Sequence, residues 1–331
     1  LSQSIKLLAE SIRKRDRPSL AKGITLVESS LEDDLPKAET LLTELLPFSG
    51  KAIRIGISGA PGVGKSTFIE AFGQTLLTKN QKIAVLTVDP SSPITGGSIL
   101  GDKTRMEILS RHQDVFIRPT PSGLALGGVA RHTREAMILC EAAGYDTILI
   151  ETVGVGQSEV TVASMVDVFL TLQSPGGGDE LQGIKKGILE LADIIAITKA
   201  DGDFKQAANL SRAEHERAVS LVRSGWTPPV LTCSSMTGEG IDNIWDAIEN
   251  FLRHQKSSSA FKTRRHHQIK QWFESEIDAW LHRRFFAGNE AMLKTWESEA
   301  ASGKLPANVA ARLAIETMIP PKTMATTLAQ D

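Results

Sequence analysis

Residues 53–66 read Ile-Arg-Ile-Gly-Ile-Ser-Gly-Ala-Pro-Gly-Val-Gly-Lys-Ser, a short apolar run followed by G-x-x-x-x-G-K-S. That spacing suits a phosphate. Gly59, Gly62 and Gly64 can adopt backbone angles that a Cβ would obstruct, which lets successive N–H groups curl around an anion. Ala60, Pro61, Val63 and Thr67 complete the nucleotide-binding stretch. Lys65 would reach the β- and γ-phosphates, and the Ser66 hydroxyl would bind Mg²⁺. A helix starting near Lys65 would point its positive end at the phosphates.

A phosphate loop alone does not separate kinases, ATPases and GTPases; four later segments do. Val85-Leu86-Thr87-Val88-Asp89 ends a strand with a carboxylate. Carboxyl ends of strands line the crevice where open α/β sheets bind ligands, and Asp89 there could hold Mg²⁺ through water. The glycine-rich stretch that follows, to Arg105, has the character of a mobile switch; its Asp102 reads as a helix N-cap, a functional acid, or both. Ile148-Leu149-Ile150-Glu151 is a second strand tipped by an acid, with Gly154 three residues on. This is the spacing of the second metal-side motif of GTPases, with Glu151 in place of the usual Asp. Gly154 could turn its N–H to the γ-phosphate and report its presence.

The run Ile194-Ile195-Ala196-Ile197-Thr198-Lys199-Ala200-Asp201 resembles a guanine-reading box, usually Asn-Lys-x-Asp. Asp201 can accept both the N1–H and the 2-amino hydrogens of guanine. Adenine offers neither donor, so an unpaired carboxylate would penalise ATP. Lys199 can lay its stem along the purine. Thr198 stands where Asn is usual, and the expectation is that it loses the amide's brace on the phosphate loop and its contact with purine N7. Thr232-Cys233-Ser234-Ser235 matches a weaker fifth motif whose backbone N–H would meet guanine O6, with Ser234 and Ser235 as nucleotide contacts. The segment 176–187, rich in Gly and paired charge, exceeds what a simple switch needs. Its Lys185 and Lys186 could stabilise charge on a transferring phosphoryl group.

These motifs need strands that end together. Candidate strands are 52–57, 83–88, 114–117, 146–151, 166–172, 193–198 and 229–233, mostly continuous apolar runs of the kind buried on both faces of a parallel sheet. Helical patterns at 65–78, 128–143, 205–223 and 240–253 alternate with them, the rhythm of a doubly wound α/β domain. Three segments are expected: N-terminal helices over 1–48, a P-loop GTPase domain over 49–253 and a helical arm over 254–331. Pro18 and Pro36 fall near helix starts, where proline is tolerated. Residues 254–263 read as a polar joint. His266-His267 lies beside a basic run, Lys262-Thr263-Arg264-Arg265, taken as a solvated helix start. Beyond it Ile269, Trp272, Phe273, Ile277, Trp280, Leu281 and Phe285 recur at helical spacing, a stripe that either packs on its own domain or forms a subunit interface.

The chain has 331 residues and a formal net charge of −2, which gives no electrostatic case for nucleic acid or an anionic membrane. No apolar stretch approaches the roughly 18 residues of a membrane span, and the N-terminus lacks the apolar core of a signal peptide. Cys140 and Cys233 lie far apart in apolar contexts, which fits a reducing, cytoplasmic setting. The chain starts at Leu1 rather than Met, so a short preceding piece is expected.

The whole chain resembles the MeaB/ArgK-type GTPases, the chaperones associated with methylmalonyl-CoA mutase. The resemblance is carried by Gly59–Ser66, Val88-Asp89-Pro90-Ser91-Ser92, Gly101–Met106, Glu151–Glu159 and the run from Gly177 to Lys185. It implies a homodimer joined largely through the C-terminal arm. It also implies GTP hydrolysis that gates adenosylcobalamin loading onto the mutase and protects that enzyme. Asp89, Asp102, Glu151 and Lys185 would match residues serving Mg²⁺ and nucleotide turnover. Two other readings are a transport-associated kinase, which would need a phosphoacceptor, and a metallochaperone GTPase, which would need closely spaced Cys and His ligands.

Overall fold

The computed structural model describes residues 2–89, 106–121, 126–152, 157–175, 190–222 and 226–318. Seven strands form one sheet, all parallel: β1 (Ile53–Gly59), β2 (Ile83–Asp89), β3 (Val115–Pro121), β4 (Thr147–Thr152), β5 (Val168–Gln173), β6 (Ile194–Ile197) and β7 (Val230–Thr232). Their spatial order is β3-β2-β4-β1-β5-β6-β7. The expected strands are all present, and the apolar runs were informative because both faces of the sheet are covered. In β4 all six residues are buried.

Alternate residues along each strand serve opposite layers, as the two-residue period of a strand requires. On one side Ala84, Leu86, Ile148 and Ile150 pack with Ile12, Leu20, Ile24 and Leu41. Those partners come from α1 (Ser2–Arg13), α2 (Arg17–Val27) and α3 (Leu35–Leu45). On the other side Ile55, Ile57, Val85 and Leu149 pack with Phe68, Phe72, Ile244 and Phe251, from α4 (Lys65–Thr78) and the helix Ile241–Ser257. Between these lie α5 (Glu107–Arg111), α6 (Leu126–Ala142), α7 (Gln157–Ala163) and α8 (Lys205–Val222). The Phe68 and Phe72 rings stack with centroids 5.3 Å apart.

The N-terminal helices start where the sequence predicts. Asp16 caps α2 by accepting from the Ser19 N–H at 2.9 Å, with Pro18 in the first turn. Pro36 likewise opens α3. The docking of α2 is polar at its end: Arg118 on β3 donates to the Glu28 carboxylate at 2.5 Å and to Thr25 Oγ1 at 3.2 Å. Burial pushes the Glu28 carboxyl above its usual range, against the pull of Arg118.

The expected polar joint at 254–263 is a single turn. Helix α9 (Ile241–Ser257) ends at Ser258, and α10 (Ala260–Phe286) starts almost at once. Lys262, Thr263, His266 and His267 are exposed at this helix start, as expected, but Arg264 and Arg265 between them are half-buried and paired. Arg265 donates to both Asp167 oxygens, at 2.8 and 2.6 Å, and to the carbonyls of Gly50 and Ala52 at 2.5 and 2.7 Å. Arg264 reaches the buried Asp193 at 3.0 Å, and Gln268 donates to the Val166 carbonyl at 2.8 Å. Asp167 also accepts from the Arg54 N–H at 2.9 Å. Two buried acids just ahead of β5 and β6 needed cations, and the first turns of α10 supply them. Burial pulls the Arg265 pKa down, the bonded Asp167 carboxylate pulls it up, and the net direction is upward.

The chain divides into two compact units, 1–268 and 269–331. The second holds the rest of α10, then α11 (Glu290–Ala301) and α12 (Ala307–Met318). On α10 it exposes Ile269, Phe273, Ile277, Trp280 and Leu281. No helix among the described residues is long and apolar enough to cross a membrane.

Candidate functional site

Because all strands are parallel, their carboxyl ends gather at one edge. There β1 runs out into the phosphate loop. Gly59, Gly62 and Gly64 have φ of +157°, +81° and +96°. At Gly59 a Cβ would meet the Leu172 carbonyl oxygen at 2.6 Å, so this position closes against β5 as well as turning. Gly64, in a left-handed conformation, leads directly into α4, and its carbonyl accepts the Phe68 N–H at 2.8 Å. Lys65 lies back along the loop and donates to the Gly59 carbonyl at 2.8 Å and the Ala60 carbonyl at 3.3 Å.

At the second residue of α4 the buried Ser66 hydroxyl donates to Glu151 Oε1 at 3.1 Å. Glu151 stands near the end of β4 and pairs in register with Ile57 of β1 and Thr87 of β2. A hydroxyl and a carboxylate oxygen at that separation fit a small hard cation. Neighbouring ligands around octahedral Mg²⁺, with bonds of about 2.05 Å, lie about 2.9 Å apart. The residues present therefore fit Mg²⁺. Asp89 is the last residue of β2, one strand over. Asp102, Gly154 and Lys185 lie outside the described residues.

The residues expected to read the base lie in the loops after β6 and β7. The Thr198 hydroxyl lies 2.8 Å from the Val63 carbonyl and 3.1 Å from the Gln173 carbonyl, sharing one proton between them. Lys199, at a φ of +55°, donates to the Gly62 carbonyl at 2.9 Å. Thr198 thus braces the phosphate loop, contrary to the expectation. The strand end approaches the loop closely enough that a hydroxyl spans the gap an amide would fill.

Asp201 accepts a hydrogen bond from the Ser234 hydroxyl. That hydroxyl is itself oriented by the N–H groups of Met236 and Thr237, each at 3.2 Å. The loops are tied by backbone bonds between Ala200 N and the Cys233 carbonyl at 3.0 Å, and Cys233 N and the Ile197 carbonyl at 2.8 Å. Ser235 sits half-buried beside Ser234. Both cysteines are buried free thiols, and burial pushes Cys233 up to about 12.

One pair escaped the sequence reading. Ser58, fully buried in β1, donates to Glu159 Oε1 at 2.8 Å. Glu159 is a buried acid in the first turn of α7, directly after the segment that follows Glu151. The available signal was a hydroxyl set inside an apolar strand, which needs a partner. Among the described residues no three His, Cys, Asp or Glu side chains gather as a metal site of their own.

A phosphate loop at the end of a central parallel strand, braced by the loop that follows a strand two places away, defines a P-loop nucleotide-binding protein of the GTPase class. A family model described as methylmalonyl Co-A mutase-associated GTPase MeaB matches residues 20–290, and the chain belongs to that family. It is 48% identical over 289 residues to GTPase ArgK of Escherichia coli, covering 86% of this chain and 87% of that one. It is 48% identical over 272 residues to the mitochondrial methylmalonic aciduria type A homolog of Mus musculus, covering 78% of this chain and 66% of the relative. A crystal structure described as an LAO/AO transport system kinase superposes with a TM-score of 0.76 at 36% identity, covering 96% of this chain and 98% of the other.

Proposed function

We propose that this protein binds GTP and GDP with Mg²⁺, hydrolyses GTP, and serves as a chaperone of an adenosylcobalamin-dependent acyl-CoA mutase of the methylmalonyl-CoA mutase type. In this reading it gates cofactor loading and protects the mutase. The observation that carries the nucleotide reading is the join between base and phosphate ends, where Thr198 and Lys199 are bonded to Val63 and Gly62 of the phosphate loop. The family match and the name of the mouse relative support the mutase as client.

The loop N–H groups between Gly59 and Thr67, Pro61 excepted, hold the phosphates, and Lys65 exchanges its carbonyl partners for phosphate oxygens. Ser66 and Glu151, with Asp89 and Asp102, are the residues that would hold Mg²⁺, which when bound neutralises phosphate charge. Asp201 takes the N1–H and 2-amino hydrogens of guanine, kept in place by Ser234, while Lys199 and Ser235 border the ring. In hydrolysis the oxygen of a water bonds to the γ-phosphorus as the bond from that phosphorus to the oxygen retained by GDP breaks. One of the water's protons stays on the oxygen now bound to phosphorus and the other passes to a phosphate oxygen, so GTP and water become GDP and dihydrogen phosphate. Lys185 stabilises the charge that develops, and Gly154 responds to the γ-phosphate.

The exposed apolar residues of α10 support a homodimer through the C-terminal arm, since a stripe of that size favours a partner surface. The experiment is a comparison of turnover and mutase affinity. Glu151→Ala should lower kcat far more than GTP affinity, because its role strengthens in the transition state. The mutase should bind the GDP form and the GTP-analogue form with different affinities. Unchanged turnover would remove Glu151 from the mechanism, and equal mutase affinities would remove the gating role.

A further inference from the structure

At the opposite edge of the sheet, about 20 Å from the phosphate loop by strand length, lies a cavity of about 530 Å³. It opens between the end of α1, the segment leading into β1, the start of β4 and the last turn of α9. Three cations line it: Arg13, Lys51 and Lys256. None of them forms an ion pair with a described residue. The two acids in the same wall are differently placed. Glu141 is buried and neutralised, accepting from Arg54 Nε at 2.6 Å and from the Gly50 N–H. Asp146 is exposed and accepts the Lys82 N–H at 3.0 Å. The cavity therefore presents three cations against one remaining carboxylate.

Three cations lining one recess give it a positive potential that favours an anion; Lys256 also lies over the Phe261 ring, its Nζ 5.5 Å from the ring centre. The recess also has a flat apolar wall. Phe48 lines it, with the Arg13 guanidinium 3.5 Å from the centre of its ring. That contact fixes the guanidinium by cation–π attraction and leaves its N–H edge available. Phe48 remains 39% exposed despite its size, so part of its surface is open to a second flat group. The volume suits a molecule rather than an ion alone.

We propose that this cavity binds a small phosphorylated aromatic compound, its phosphate among Arg13, Lys51 and Lys256 and its ring against Phe48. The site is distinct from the nucleotide site, and only the use of GDP and Mg²⁺ to fill the phosphate loop in its test rests on the function proposed above. Its ligand would touch the N-terminal helices, the entry to β1 and the end of α9 together.

The test uses the full chain saturated with GDP and Mg²⁺, so that the phosphate loop is already filled. Phenyl phosphate and inorganic phosphate are titrated separately by calorimetry. Phenyl phosphate should bind at one further site, about fivefold or more tightly than inorganic phosphate. The double variant Lys51→Gln, Lys256→Gln should weaken phenyl phosphate at least about tenfold. Both lysines are exposed and lack ion-pair partners among the described residues, so the fold should not suffer. Phe48→Ala should erase the difference between the two ligands. No binding of phenyl phosphate, or binding indifferent to the lysine pair, would overturn the site. Equal binding of the two phosphates by the parent protein would overturn the aromatic part of the assignment.

Discussion

Replacing Arg265 by methionine tests how the sheet holds the root of α10. The guanidinium makes four hydrogen bonds, two to Asp167 and one each to the carbonyls of Gly50 and Ala52. The pair is well inside: side-chain exposure is 17% for Arg265 and 1% for Asp167. Breaking a buried pair from one side costs about 3–5 kcal/mol, because the remaining charge stays buried. Asp167 keeps the Arg54 N–H, which places the expected loss near the low end, about 3 kcal/mol. At roughly 2–4 °C per kcal/mol for a unit of this size, the melting temperature should fall by about 6–12 °C. The assay is calorimetric melting of the full chain against Lys270→Met as a control. Lys270 pairs with Glu274 at 3.8 Å with both side chains largely exposed, so its loss should leave the melting temperature unchanged. If Arg265→Met melts with that control, the Asp167 pair is not holding the helix root.

Other outcomes follow from the same structure. Truncation after Gln268 should give a folded monomer that binds fluorescent GDP. Truncation after Arg253 removes Arg264, Arg265 and Gln268, strands Asp167 and Asp193, and should give a far less stable protein; light scattering and urea melts separate the two. Thr198→Val removes the hydroxyl shared by Val63 and Gln173 and should weaken GDP binding about tenfold, measured by calorimetry. The raised Glu28 carboxyl keeps its proton to higher pH in the folded state than in the unfolded one. Its contribution to stability is present below its unfolded pKa and is lost as pH rises through the folded value. Glu28→Gln should therefore flatten the fall in stability across that window, read by urea denaturation at stepped pH.

The strands and the phosphate loop were legible because their signals are local. Ile148-Leu149-Ile150 is apolar throughout since both faces of β4 are covered, and three glycines at fixed spacing announce a turn that only glycine makes easily. Long-range pairings were not legible. Arg264 and Arg265 look like a solvated run until Asp193 and Asp167 are placed 71 and 98 residues away in sequence. Thr198 looked like a lost brace because a sequence carries no record of how near Val63 comes. Ser58 and Glu159, 101 residues apart, meet only once α7 is set against β1. The cavity at the opposite edge draws Arg13, Lys51 and Lys256 from three separate elements, and no spacing rule joins them.

The central claim, that this site reads guanine, is tested most directly by measuring GDP and ADP affinity side by side in Mg²⁺. A carboxylate built to accept two hydrogen bonds penalises a base that lacks both donors, and GDP should bind at least about a hundredfold more tightly than ADP. Asp201→Asn should shift the preference toward xanthosine diphosphate, since one acceptor position becomes a donor. Equal affinities for GDP and ADP in the parent protein would contradict the account.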